Sequence, residues 1–166
     1  MPYSLAALNQ MSQEAFVAAL GATFEDTPEI ANSVWAFRPF TSRDYLHQKM
    51  AGIVNAMSPE KKLALIRAHP DLGSRAKMAE ASVKEQAGAG LDRLLPDEYQ
   101  RFHALNEAYK TQFGFPFIIA VKNHTKSSIL EAFERRLKND SAAEMEQAIV
   151  EILQIARFRL SDGVME

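Results

Sequence analysis

The chain has 166 residues, 47% of them hydrophobic and 24% charged, with a net charge of -2 at neutral pH. That size and apolar fraction suit one globular domain over residues 1–166, and the near-cancelled charge offers no basic field for nucleic acid or an anionic membrane. With no cysteine in the chain, a disulfide framework, a thiolate zinc site and a cysteine nucleophile are excluded together.

Helix signals then follow one another along the chain. Ser12 is placed to cap "QEAFVAAL", in which Phe16, Val17 and Leu20 share a face and Gly21 supplies a stop. Thr27-Pro28 opens a helix carrying Ile30, Val34 and Phe37, and Pro39 ends it. After Thr41 or Ser42, the residues Leu46, Met50, Ile53, Val54 and Met57 recur at helical spacing. Ser58-Pro59 starts the next helix, which the pattern carries to about Ala68. "SVKE" at 82–85 has capping-box form and predicts a helix N-terminus there. Leu95-Pro96 precedes a long helix with Phe102, Leu105 and Tyr109 inward, stopped near Gly114. Thr125 to Ser128 leads into a helix bearing Leu130, Phe133 and Leu137, and a second capping-box pattern, "SAAE" at 141–144, predicts the start of the last helix.

The exception is "FGFPFIIAVK" at 113–122, a β-branched and aromatic run that reads locally as a strand. A lone strand has nothing to pair with, so the expectation is an extended or helical buried segment. The fold class is therefore all-α: a single domain of roughly eight helices in an irregular array. The N-terminus lacks the basic region of a signal peptide, and the apolar run at 115–121 is too short to span a bilayer. No C-terminal targeting motif is visible either, and the expected location is the cytoplasm.

Familiar chemical motifs are missing. "GAG" at 88–90 has no preceding strand and lacks the Gly-x-Gly-x-x-Gly spacing. His47, His103 and His124 do not share a metal-ligand spacing, so no metal is expected. Neither a nucleophile elbow nor a Walker loop occurs. Any chemistry must rest on ordinary side chains, without a recognisable cofactor motif.

Three sets of polar residues occupy odd places. "LALIRAHPDL" at 63–72 is an apolar helical pattern that runs into His69 and stops, because Pro70 disfavours helical geometry at the residue before it. The carbonyl-rich end of a helix favours imidazolium, which suits a proton donor, although a histidine that merely caps the helix fits equally. Ser82 and Glu85 are explained by a capping box, yet a helix N-terminus also offers amides to an anion, and Gln86 adds an amide that donates and accepts. In the last helix Met145, Ala148, Ile149, Ile152 and Ala156 form a stripe that continues to Arg159, whereas Arg157 points away. An inward arginine needs a carboxylate, a carbonyl or a ligand; a core acid and a substrate are both open as its partner.

"HPDLG" (69–73), "SVKEQAGAGL" (82–91), "FGFPFIIAVK" (113–122) and the terminal "FRL" (158–160) together resemble the OHCU decarboxylases. These cofactor-free, all-helical enzymes convert 2-oxo-4-hydroxy-4-carboxy-5-ureidoimidazoline to (S)-allantoin, the last step from urate. The resemblance implies a small-molecule substrate, no cofactor, and a homodimer as one assembly known in the family. It makes His69 the catalytic proton donor and Glu85 its catalytic partner, with Pro70, Ser82 and Gln86 contacting the substrate. Phe117, Ile119, Ala120 and Val121 would line the site and lend backbone groups to the ring and ureido moiety, and Arg159 would meet the substrate's polar or anionic edge. Phe158 stands where other members carry leucine, and the connection from "HPDLG" to Ser82 is shorter than in some. Two rivals stay open: a helical binding or regulatory module using "FGFPFIIAV" as an exposed partner surface, and a decarboxylase for a related ureido acid.

Overall fold

The computed structural model describes residues 2–74 and 80–166. In chain order these form β1 (Tyr3–Ser4), α1 (Leu5–Gln10), α2 (Gln13–Leu20), α3 (Glu29–Val34), α4 (Arg43–Asn55), α5 (Pro59–Arg67), α6 (Glu80–Gly88), α7 (Pro96–Phe113), α8 (Lys126–Arg136), α9 (Ser141–Gly163) and β2 (Val164–Met165). The all-α expectation holds, with nine helices among the described residues. The unforeseen one is α1, whose buried Leu5 and Leu8 belong to a helix too short to display a period. Two-residue strands are equally silent in sequence; β1 and β2 pair in parallel, Tyr3 opposite Val164 and Ser4 opposite Met165.

Local chemistry accounts for most boundaries. The hydroxyls of Ser12, Ser42 and Ser58 accept the amides of Ala15, Tyr45 and Lys61 at 3.1, 3.0 and 3.2 Å. Thr125 and Ser128 exchange side-chain and backbone bonds at the start of α8. α7 ends at Gly114, whose φ of 81° is the left-handed conformation that glycine adopts without a steric penalty.

The helix start predicted at "SVKE" is overturned, whereas the last helix does start at Ser141, within "SAAE", with a different cap. α6 is already helical at Glu80, so Ser82 and Glu85 lie inside it and not at its start. The connection at 75–79, within the stretch read as short for the family, lies outside the described residues. At α9 the cap is Asp140, whose carboxylate accepts the Ala143 amide at 2.8 Å. Glu144 is thereby released from the terminus and turns into the core, fully buried. The inward face of α8 is likewise shifted from the expected Leu130, Phe133 and Leu137 to Ile129, Ala132, Phe133 and Arg136. The cause is Arg136, drawn inward by Glu144.

The chain makes two compact units, one of Met1–Leu65 with Leu153–Glu166 and one of Ile66–Ile152. In the first, α2, α3 and α4 bury Phe16, Leu20, Ile30, Val34, Leu46 and Met50. Phe40 stacks on Phe16 at 5.8 Å, and Asn9 brackets its backbone, donating to the carbonyl and accepting from the amide.

In the second unit the aromatic side chains of α7 and α8 gather around the 113–122 run. That run is extended after Gly114 and ends in a short 3-10 helix, Val121–Asn123, with Phe115 and residues 117–121 buried. The expectation of a buried segment is met. No exposed apolar surface remains along Phe117–Val121 for a partner to use, which removes the observation that would favour the binding-module reading. Beneath the segment, Arg136 donates to Glu144 at 2.8 Å and to the Ile118 carbonyl at 2.6 Å, with its guanidinium 4.3 Å from the Phe117 ring centre. Glu144 also accepts from Tyr109 and from Asn139.

Candidate active site

The histidine turn comes directly after α5. The His69 amide donates to the Ile66 carbonyl at 3.2 Å, the last helix-type bond before Pro70, and His69 is 8% exposed. The three residues after Pro70 are then held one by one. Asp71 accepts from Lys110 at 2.7 Å, the Leu72 carbonyl accepts from Asn106 at 2.9 Å, and the Gly73 amide donates to the Gln86 side chain at 3.0 Å. Asn106 and Lys110 stand one turn apart on α7, so a single helix face holds both Asp71 and Leu72. Its bond to Asp71 raises the Lys110 pKa, keeping the ammonium charged. Gly73 has φ of 68°, and a β-carbon there would lie 2.7 Å from Leu94 Cδ1.

On α6, Ser82 and Gln86 are buried and Glu85 is half-buried beside them. Gln86 is engaged by Gly73, so it ties α6 to the histidine turn whatever else it touches. Glu85 lines a cavity of about 190 Å³ with Lys84, Gly88 and Ala89 of α6 and with Val121, Lys122 and His124. The structure thus joins Glu85 with Val121 and Gln86 with the 69–73 turn. His69 and Pro70 are not among the lining residues of that cavity.

The segment expected to lend backbone groups already has some of them in use. The Ile118 carbonyl accepts from Arg136 and the Ala120 amide donates to Glu151 at 2.9 Å. The Ala120 and Val121 carbonyls accept from the amides of Asn123 and His124. The amides of Phe117, Ile118, Ile119 and Val121 and the carbonyls of Phe117 and Ile119 make no hydrogen bond among the described residues, although all four residues are buried. Buried backbone groups are nearly always paired, and these are the exceptions along the segment. The Phe117 side chain is committed to the core, stacked on Phe133 at 3.8 Å.

Arg159 belongs to the other compact unit. It donates to Glu25 and to the Ala22 carbonyl, each at 3.2 Å, and both charged side chains are buried. The core-acid partner left open by the sequence is therefore present. Arg157, read as an ordinary solvated residue, bonds Asp44 at 3.0 Å and approaches His47 Nδ1 at 3.4 Å. Sequence reasoning passed over Arg136, Glu144, Asn106 and Lys110 because their partners are distant in sequence. Among the described residues, no cluster of three metal-ligating side chains occurs and no helix is long and apolar enough to cross a membrane.

A family model described as OHCU decarboxylase matches residues 9–161. The chain belongs to this family. The match runs through both compact units. Over 155 residues the chain is 45% identical to a 2-oxo-4-hydroxy-4-carboxy-5-ureidoimidazoline decarboxylase of Halalkalicoccus jeotgali, covering 93% of this chain and 88% of that protein. It is 47% identical to the uric acid degradation bifunctional protein PucL of Bacillus subtilis, over 96% of this chain and 32% of that longer protein. A solved (S)-allantoin synthase superposes with a TM-score of 0.79 at 28% identity, over 97% of this chain and 54% of that one. Membership places the chain among decarboxylases, and the motifs at 69–73, 82–91, 113–122 and 158–160 fall inside the matched span.

Proposed function

We propose that the chain is a carboxy-lyase acting as one domain, converting 2-oxo-4-hydroxy-4-carboxy-5-ureidoimidazoline to (S)-allantoin without a cofactor. The observation that carries this reading is 45% identity to a decarboxylase of that name across nearly the whole of both chains. Decarboxylation needs a sink for the electrons of the breaking C–C bond, and the ring C=N of this substrate supplies one. The bond to the carboxylate breaks, its electron pair moves toward the C=N, carbon dioxide leaves, and one proton returned to the ring carbon sets the (S) configuration. The protein orients the substrate, stabilises developing charge and delivers that proton to one face.

His69 is the proposed proton donor. The clamps on Asp71, Leu72 and Gly73 support this role, because they hold the turn that follows the imidazole. Glu85 is its proposed partner, and Ser82 and Gln86 contact the substrate with Pro70. The unpaired backbone groups at Ile119 and Val121 suit the ring or ureido moiety, with Ala120 between them. The family pattern assigns Arg159 the substrate's anionic edge, beside its bonds to Glu25 and the Ala22 carbonyl. A cytoplasmic location and a homodimer complete the reading, the latter checked by sedimentation.

The test is chiral: purified protein with no added cofactor should convert freshly made substrate to (S)-allantoin and not to racemate. His69→Ala should abolish that acceleration with the fold retained, and near-normal turnover by this variant would refute the assignment. Arg159→Ala should chiefly raise KM; an unchanged KM would remove Arg159 from the binding set.

A further inference from the structure

The corner at Ala120, where the extended run meets the 3-10 helix at Val121–Asn123, is tied down from α9. Glu151 Oε1 accepts the Ala120 amide at 2.9 Å, and Oε2 accepts the Gln147 side-chain amide at 2.8 Å, one turn earlier on the same helix. A carboxylate only accepts, so neither bond depends on a rotated amide or a tautomer. The flanking groups are fixed as well: Arg136 holds the Ile118 carbonyl, and the Asn123 amide holds the Ala120 carbonyl at 3.1 Å. Between them lies one peptide unit, the Ile119 carbonyl joined to the Ala120 amide. Its amide end is bonded to a charged group, whereas its carbonyl belongs to a buried residue and makes no hydrogen bond among the described residues. The two ends are not independent. The unit is planar and trans, so the carbonyl points away from Glu151. A carboxylate on the N–H shifts electron density through the conjugated C–N bond onto the oxygen, which makes the far end a stronger acceptor.

We propose that Glu151 is a positioning residue for the substrate, fixing the Ile119–Ala120 peptide and strengthening the Ile119 carbonyl as acceptor for a substrate N–H. The inference rests on the function proposed above, in which this segment lends backbone groups to the ring and ureido moiety, and it adds the side chain that acts through one of them. A carbonyl oxygen has no proton to give, so this position takes an N–H donor of a ureide and turns away its carbonyl and carboxylate oxygens. The role needs the charge of Glu151 as well as its shape. A neutral partner would hold the Ala120 amide in the same place while polarising the peptide less.

The experiment compares wild type, Glu151→Gln and Glu151→Leu on freshly made substrate, beside NMR spectra of protein labelled at the Ile119 carbonyl carbon and the Ala120 nitrogen, with (S)-allantoin as the added ligand. Glu151→Gln keeps an oxygen for the Ala120 amide and removes the charge, and half-buried Gln147 can turn its own amide to match. It should raise KM roughly threefold, the loss appearing in KM and not in kcat. Without ligand, its Ala120 amide proton and Ile119 carbonyl carbon should both lie upfield of wild type. Glu151→Leu, which also strands the Ala120 amide, should raise KM roughly tenfold; if it does not fold, the glutamine variant decides alone. In wild type the Ile119 carbonyl signal should move when (S)-allantoin is added. A side chain that merely ties the backbone predicts wild-type KM in Glu151→Gln. That result, an Ile119 signal unchanged by the substitution, or one that ignores (S)-allantoin in wild type would each overturn the proposal. A wild-type protein without turnover would instead overturn the proposed function, and the response of the labelled carbonyl to (S)-allantoin would still decide this one.

Discussion

The buried pair Arg136–Glu144 gives the sharpest test of how the 117–121 segment is supported. Only 5% and 0% of the two side chains is exposed, at a separation of 2.8 Å. Glu144 receives Arg136, Tyr109 and Asn139, and Arg136 already has one buried nitrogen, Nη2, without a partner among the described residues. Glu144→Gln removes the counter-charge bonded to Arg136 and turns one acceptor into a donor facing other donors. Leaving a buried charge uncompensated costs about 3–5 kcal/mol. For a chain of this size that corresponds to a fall in Tm of about 6–20 °C. Because Arg136 also holds the Ile118 carbonyl, turnover should fall even where the variant is fully folded. Urea unfolding of Glu144→Gln, Arg136→Met and the double variant Arg136→Met/Glu144→Leu separates pair from packing. The double variant should lose about 2 kcal/mol less than the sum of the singles, since no charge is stranded in it. A loss under about 1 kcal/mol in Glu144→Gln, or strict additivity, would refute the reasoning.

Two further outcomes follow from the geometry. Gly73→Ala places a β-carbon at φ of 68°, 2.7 Å from Leu94, and should cost at least ~1–2 kcal/mol while lowering kcat through the displaced histidine turn; wild-type stability and turnover would show that this turn tolerates a side chain. Burial is the main cause holding His47 below its ordinary value of 6.5, with Arg157 adding to it against the bond to Leu153. The unfolded chain therefore takes up this proton first, so its stabilising share is complete above about pH 6.5 and lost as pH falls below it. Urea midpoints at a series of pH values should fall less steeply on the acid side in His47→Gln than in wild type, and identical slopes would contradict this account.

Helix starts at Ser12, Ser42, Ser58 and Thr125 were legible in the sequence because a cap and its amide lie three residues apart. The same locality misled at "SVKE" and "SAAE". Both satisfy the capping pattern, but Ser82 lies within a helix already formed at Glu80, and Asp140 outcompetes Ser141 for the cap. The stop at His69 was visible too, since Pro70 acts on its immediate neighbour. The clamps that follow were not: Asn106, Lys110 and Gln86 reach residues 71–73 from 13 to 39 positions away.

Family membership and the all-helical class were determined by the sequence itself, because motif spacing and hydrophobic period are properties of the chain before it folds. What only the tertiary structure decided is which polar groups were already spent. Arg159 has a buried acid, Gln86 holds a glycine amide, and half of the backbone groups at 118–121 are engaged. Hydrogen-bond capacity is settled by neighbours in space, and a list of residue types cannot show which donor has been used.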